Sequence, residues 1–70
     1  MTSETTQMRP ALIRLRQVMA RTGMSRSTIY AYIKNGTFPT PISISERCVA
    51  WVESDIDGWI DDRIASSRRV

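Results

Sequence analysis

The stretch Thr22–Pro41, TGMSRSTIYAYIKNGTFPTP, decides the fold of this chain. It combines a turn glycine, a short helix with a serine cap, a second glycine and an exit segment stiffened by prolines. This order predicts the second half of a helix-turn-helix, in which a short helix is presented to the major groove of DNA. The stretch therefore predicts a protein that binds double-stranded DNA.

The second helix of the motif is predicted to start after Ser25, its N-cap, and to end at Asn35, with Gly36 as the C-terminal stop. Ile29 and Ile33 are four residues apart and therefore share the buried stripe of this helix. The opposite side and the flanks carry small polar residues, tyrosines and a lysine, which leave room for close approach to a groove. The residues predicted to contact DNA from this helix are Ser25, Arg26, Ser27, Thr28, Tyr30, Ala31 and Lys34.

These side chains differ in what they can recognise. Arg26 is the best candidate for a bidentate contact to guanine, because its guanidinium presents paired donors. Ser27 and Thr28 carry hydroxyls that bond to bases or phosphates without discrimination. Tyr30 and Lys34 are predicted to hold phosphates, which sets register without reading sequence.

The preceding helix is predicted from about Arg16 to Thr22. Gly23 then permits the left-handed conformation that ends a helix and turns the chain. Met24 is expected to be an apolar plug between the two helices. Residues 1–10 are polar and without periodicity, and they predict a disordered N-terminal arm.

After Gly36 the hydrophobic pattern changes from helical to alternating. The segment 38–45 predicts an extended strand in which Ile42 and Ile44 point the same way. A tight turn at Ser45–Arg47 and a returning strand over residues 48–52 complete a β-hairpin, which after a helix-turn-helix is a wing. Arg47 lies at the predicted tip, where it is expected either to contact the DNA backbone or to be a solvated turn residue.

A last helix is predicted from near Ser54, with Asp57 at capping-box spacing. Gly58 is expected to allow close packing of this helix. The domain is predicted to span residues 11–65 and to be followed by a basic tail over residues 66–70. The apolar stripe that covers the core is predicted to consist of Ile56, Trp59, Ile60 and Ile64.

Charge is distributed unevenly along the 70 residues. The net charge is +3, but six basic residues and no acidic one lie between Thr5 and Ser45, while residues 46–70 carry a balance of −2. This layout favours one face that meets phosphates and another that points away, with a merely solvated pattern as the alternative.

Composition excludes several classes of protein. The absence of histidine removes the usual general base and the commonest zinc ligand, and the single Cys48 cannot form an internal disulfide. We therefore expect no enzyme activity, no metal and no cofactor. No apolar run approaches the roughly 20 residues needed to cross a bilayer, and no signal peptide opens the chain. The expected location is the cytoplasm, at the nucleoid.

The order LRQVMARTGMSRSTIYAYIKNGTFPTPISISERCVAWVESDIDGWIDDRI resembles the AlpA-like phage and prophage regulators, within the wider group of excisionases and MerR-type DNA-binding domains. Its most specific parts are TGMSRSTIYAYIKNGTFP and VAWVESDIDGWI. The resemblance implies a mainly α fold with a small β-hairpin: a winged helix-turn-helix of three short helices and a two-stranded wing. The family usually carries a glycine at the hairpin tip, whereas this chain has Glu46, which weakens the attraction of the tip to phosphate.

The resemblance implies regulation of phage or prophage transcription, or binding near attachment sites as an excision factor. A protein-interaction adaptor is a third possibility, in which the acidic last helix with Trp51 and Trp59 docks onto a phage integrase or another recombinase. Both tryptophans are more simply core residues. A single small module is expected to bind DNA weakly, so further copies of the chain on repeated sites are expected partners.

Overall fold

A computed structural model describes residues 10–68 of the chain. The predicted arm at residues 1–10 lies outside this part except for Pro10, and so do the last two residues of the predicted tail. Among the helices of residues 10–68, none combines the length and the hydropathy that a membrane-spanning helix requires. The elements in chain order are β1 (Leu12–Ile13), α1 (Leu15–Thr22), α2 (Arg26–Lys34), β2 (Ile42–Ser45), β3 (Cys48–Val52) and α3 (Glu53–Arg68).

The helix-turn-helix is confirmed, and its ends follow local backbone chemistry. Gly23 adopts φ +73° and its N–H donates to the carbonyl of Met19 at 2.8 Å, which ends α1. Gly36 adopts φ +77° after the Asn35 cap of α2. Both glycines occupy the left-handed region that other residues enter only at a cost. The two helices therefore begin and end within about one residue of their predicted bounds.

The sheet has one strand more than the predicted wing. Its order is β1-β3-β2, and both neighbouring pairs are antiparallel. Strand β1 pairs Leu12 with Val52 and Ile13 with Trp51. A strand of two residues is too short to show an alternating pattern, so the sequence predicts only the hairpin. The outcome is a winged helix-turn-helix whose wing is joined to the segment that precedes α1.

The β2–β3 hairpin closes through a two-residue turn at Glu46 and Arg47, between paired Ser45 and Cys48. The register shifts between Ser43 and Ser45, and the Ser43 hydroxyl donates to the carbonyl of Ser45 at 3.1 Å. A shift of this kind marks a bulge, which bends the strand and increases its twist. The predicted tip is confirmed.

One hydrophobic core joins all of the helices to the sheet. Val18 of α1, Ile29 of α2, Trp51 of β3 and Ile56 of α3 each have 0% exposure, and Phe38 lies beside them at 5%. No polar or charged residue of the described part is buried. Trp51 is confirmed as a core residue. Burial of large side chains such as these is the main stabilising term in so small a domain.

The loop between α2 and β2 is held by both tryptophans. The indole N–H of Trp51 donates to the carbonyl of Pro39 at 3.1 Å, and that of Trp59 donates to the carbonyl of Thr37 at 2.8 Å. The N–H of Thr37 in turn donates to the carbonyl of Tyr32, five residues back, as in a Schellman cap. The C-terminal end of α2 is therefore tied to the sheet on one side and to α3 on the other.

Helix α3 differs most from its prediction. It begins at Glu53 rather than after Ser54, because the Glu53 N–H already donates to the carbonyl of Ala11 at 2.8 Å and needs no side-chain cap. It continues to Arg68, so the first residues of the predicted tail are helical. Ile64 is 45% exposed and lies outside the core. A Cβ added at Gly58 would meet nothing within 4 Å, so this glycine does not serve close packing.

Candidate nucleic-acid interface

The first turn of α2 is organised by hydroxyl groups. The Ser25 hydroxyl accepts a hydrogen bond from the Thr28 backbone N–H at 3.2 Å, and it donates to the Thr28 hydroxyl at 3.0 Å. Ser25 is therefore the N-cap, as predicted, and Thr28 is half-buried beside it. The two hydroxyls bond to one another within the protein, and their direct effect is to fix the turn that carries Arg26 and Ser27.

The outward strip of α2 consists of Ser27, Ala31 and Lys34. All three are exposed, while Ile29 on the other side of the helix is completely buried. At about 100° per residue these three positions lie within about 60° of one another around the helix axis. The strip is therefore narrow and made of short side chains, with one cation at its C-terminal end.

Arg26 is connected to the core through a stack of aromatic rings. Its guanidinium carbon lies 5.9 Å from the centroid of the Tyr30 ring, one helical turn along α2. Tyr30 meets Trp51 edge-on, with ring centroids 6.3 Å apart and an interplanar angle of 67°. Because Trp51 is buried and Tyr30 is 38% exposed, the two rings lie between the core and Arg26 and support the arginine from its core side. A cation over a ring keeps the donors at its edge available.

Arg47 lies apart from the other predicted residues. It is exposed in the turn between β2 and β3, next to the exposed Glu46. The other seven predicted residues belong to α2 and its N-cap. A ligand that contacts all eight predicted residues must therefore reach both α2 and the hairpin turn.

Arg21 is one of the basic residues of the N-terminal half, but its charge is already paired. Its guanidinium bonds to a carboxylate oxygen of Glu53 and, at 3.1 Å, to Asp57. These are the ion pairs recorded within residues 10–68, and both connect the end of α1 to the first turns of α3. Arg21 is therefore less available to a phosphate than Arg26, Lys34 and Arg47, which are exposed and take no part in these ion pairs.

Tyr32 and Arg63 form a second layer on the other flank of α2. Tyr32 is half-buried and packs against the core, with its ring centroid 6.3 Å from that of Trp59. The guanidinium carbon of Arg63 lies 4.8 Å from the centroid of Trp59 and 5.5 Å from that of Tyr32. In the sequence, Arg63 stands out only as one of the charges of residues 46–70. Its spacing of one helical turn from Trp59 is a signal that indicates this contact.

Similarity to known proteins agrees with this architecture. The family model described as prophage CP4-57 regulatory protein (AlpA) matches residues 11–64. The chain is 42% identical over 57 residues to Uncharacterized protein ORF88 of Enterobacteria phage P4, a match that covers 81% of this chain and 65% of the phage protein's length. It is 34% identical over 58 residues to DNA-binding transcriptional activator AlpA of Escherichia coli (strain K12), which covers 74% of this chain and 83% of that protein.

The matched region contains both helices of the helix-turn-helix, the complete sheet and most of α3. It therefore includes every element that positions the outward strip of α2. The expectation drawn from the motif TGMSRSTIYAYIKNGTFP is confirmed: this chain belongs to the AlpA family of prophage regulatory proteins.

Proposed function

We propose that this protein is a sequence-specific double-stranded DNA-binding regulator of phage or prophage transcription, and that α2 enters the major groove. The observation that carries the proposal is the outward strip of α2, with short exposed side chains and the ring-supported Arg26 beside it. The E. coli relative, named a DNA-binding transcriptional activator, supports it and favours regulation over an excision-factor role.

The roles of the residues follow from their positions. Arg26 donates in pairs to guanine, and Ser27 bonds to a neighbouring base or phosphate. Lys34 and Tyr30 hold phosphates, and Ala31 allows the helix to come close to the base edges. In the proposed complex the N-terminal turn of α2 leads into the groove, as in other helix-turn-helix proteins.

The remaining predicted residues act at the edges of the interface. Ser25 and Thr28 hold the first turn of α2 in shape and present its backbone N–H groups toward a phosphate. Arg47 reaches the backbone of an adjacent groove from the hairpin turn. Glu46 beside it repels phosphate, so the hairpin contributes less affinity than α2.

The size of the module limits the affinity of one copy. A single small module buries roughly 600–1,000 Å² on DNA, and about four to six phosphate contacts correspond to a salt slope of about −4 to −5. We therefore propose that several copies bind side by side on repeated sites. The Glu53 and Asp57 carboxylates in the acidic first half of α3 are paired with Arg21, which reduces the repulsion that they would exert on DNA.

The test is fluorescence-anisotropy binding to a randomised duplex pool about three helical turns long, followed by selection of the bound sequences. Arg26→Ala is expected to lose about 1–3 kcal/mol of discrimination at one base pair. The control Arg26→Lys keeps the charge and the salt slope but loses the paired donors, and with them the same discrimination. Lys34→Ala is expected to weaken binding to all sequences and to reduce the salt slope by about 1.

Two outcomes would contradict the proposal. Selection of the same motif by Arg26→Ala and by the wild type would remove α2 from base recognition. If the double variant Arg26→Glu, Lys34→Glu kept the activity of the wild type, the protein would be a protein-interaction adaptor that does not need DNA. That double charge reversal abolishes binding if the outward strip faces phosphates and bases.

A further inference from the structure

Arg63 is a charged residue on the side of α3 that faces the domain. At about 100° per residue it lies within about 60° of Ile56, Trp59 and Ile60, which pack in or against the core. The aspartates of α3 all lie about 80° or more away from it around the helix. The stripe that begins apolar at Ile56 therefore ends, one turn after Trp59, in an exposed cation.

The guanidinium of Arg63 is oriented by two rings. It lies 4.8 Å from the Trp59 centroid and 5.5 Å from the Tyr32 centroid, and Trp59 is itself fixed by its hydrogen bond to Thr37 and by its edge-on contact with Phe38 at 4.8 Å. Rings engage the face of a guanidinium and leave the donors at its edge. Both ion pairs within residues 10–68 involve Arg21 and neither involves Arg63. The N–H donors of Arg63 are therefore available to another anion.

The position of these rings relates Arg63 to α2. Tyr30 and Tyr32 are two residues apart in α2. Measured on the side that carries the outward strip, they lie about 200° apart around the helix axis, so the strip lies between them. Arg26 lies over the Tyr30 ring and Arg63 over the Tyr32 ring. Two ring-supported arginines thus bracket Ser27, Ala31 and Lys34. A helix inside a groove about 12 Å wide has a phosphate backbone along each flank.

We propose that Arg63 donates to a DNA phosphate along the Tyr32 flank of α2, as an anchor supplied by α3. This inference rests on the proposed function and extends it to a residue outside the helix-turn-helix and the wing. The planar guanidinium fits two oxygens of one phosphate. The contact sets the rotation of α2 in the groove and carries no sequence information.

The test compares Arg63→Met and Arg68→Met with the wild type on one selected duplex and on random duplex, over a range of salt. Methionine keeps an unbranched chain over the rings and removes the charge. The matched control Arg68→Met removes the same charge from the same helix, on a different side. We expect Arg63→Met to lose about tenfold in affinity at low salt, equally for both duplexes, with a salt slope smaller by about 1, while the control keeps the wild-type values.

A role in packing alone would shift the melting temperature of Arg63→Met and leave the salt slope unchanged, so an unchanged slope overturns the inference. Equal loss in the Arg68→Met control also overturns it, because the effect would then be one of net charge. Wild-type binding with an unaffected Arg63→Met refutes only the phosphate contact. Absence of binding by the wild type refutes the proposed function and this inference with it.

Discussion

Replacing Gly58 with alanine is expected to raise the free energy of unfolding by about 1 kcal/mol. Gly58 lies inside α3, is exposed, and would place a new Cβ where nothing comes within 4 Å. The substitution therefore introduces no clash and no new contact. The gain comes from the unfolded chain, since alanine has less backbone freedom to lose than glycine. For a domain of this size it corresponds to a melting temperature higher by about 4–8 °C.

Gly36→Ala is the matched contrast, because the same methyl group is added in equally open space. Gly36 has φ +77°, where a side chain costs roughly 1–2 kcal/mol, so this variant is expected to be destabilised. Thermal and urea unfolding followed by circular dichroism measure both changes, with an unchanged urea m-value as the sign that unfolding remains two-state. A destabilised Gly58→Ala would refute the reasoning, since it would require a close contact that the structure lacks.

Three further substitutions test how the helices are held. Ser25→Ala removes the N-cap of α2 and is expected to cost about 1 kcal/mol in thermal unfolding, whereas Ser27→Ala on the outward strip should change stability by less than about 0.5 kcal/mol; equal effects would contradict the cap. Arg21→Gln breaks ion pairs whose side chains are 34–58% exposed, so it should cost less than about 1 kcal/mol in urea unfolding. That cost should shrink in high salt, and a salt-independent loss would contradict the surface character of the pairs. Trp59→Phe loses the hydrogen bond from the indole N–H to the Thr37 carbonyl and should lower stability by about 1–3 kcal/mol. A variant melting temperature equal to that of the wild type would contradict this.

The helix-turn-helix could be predicted because its determinants are local. The Ser25 cap acts on a residue three positions on, and the glycine stops act within five. The buried stripe of α2 follows from the spacing of Ile29 and Ile33, and the hairpin follows from alternation on both sides of a short turn. The outward strip is then the remaining side of a helix whose buried side is known.

The sequence by itself therefore determined the motif, its polarity and the residues on the exposed side of α2. Only the tertiary structure decided the features that depend on contacts between distant residues. Strand β1 exists because Leu12 and Ile13 pair with β3, and α3 starts at Glu53 because Ala11 accepts its N–H. Likewise, Arg63 faces Tyr32 only once α3 has packed against α2. Local hydrogen bonds and side-chain periodicity depend on residues that are close in the sequence. These pairings depend instead on how the folded elements are placed against one another in space.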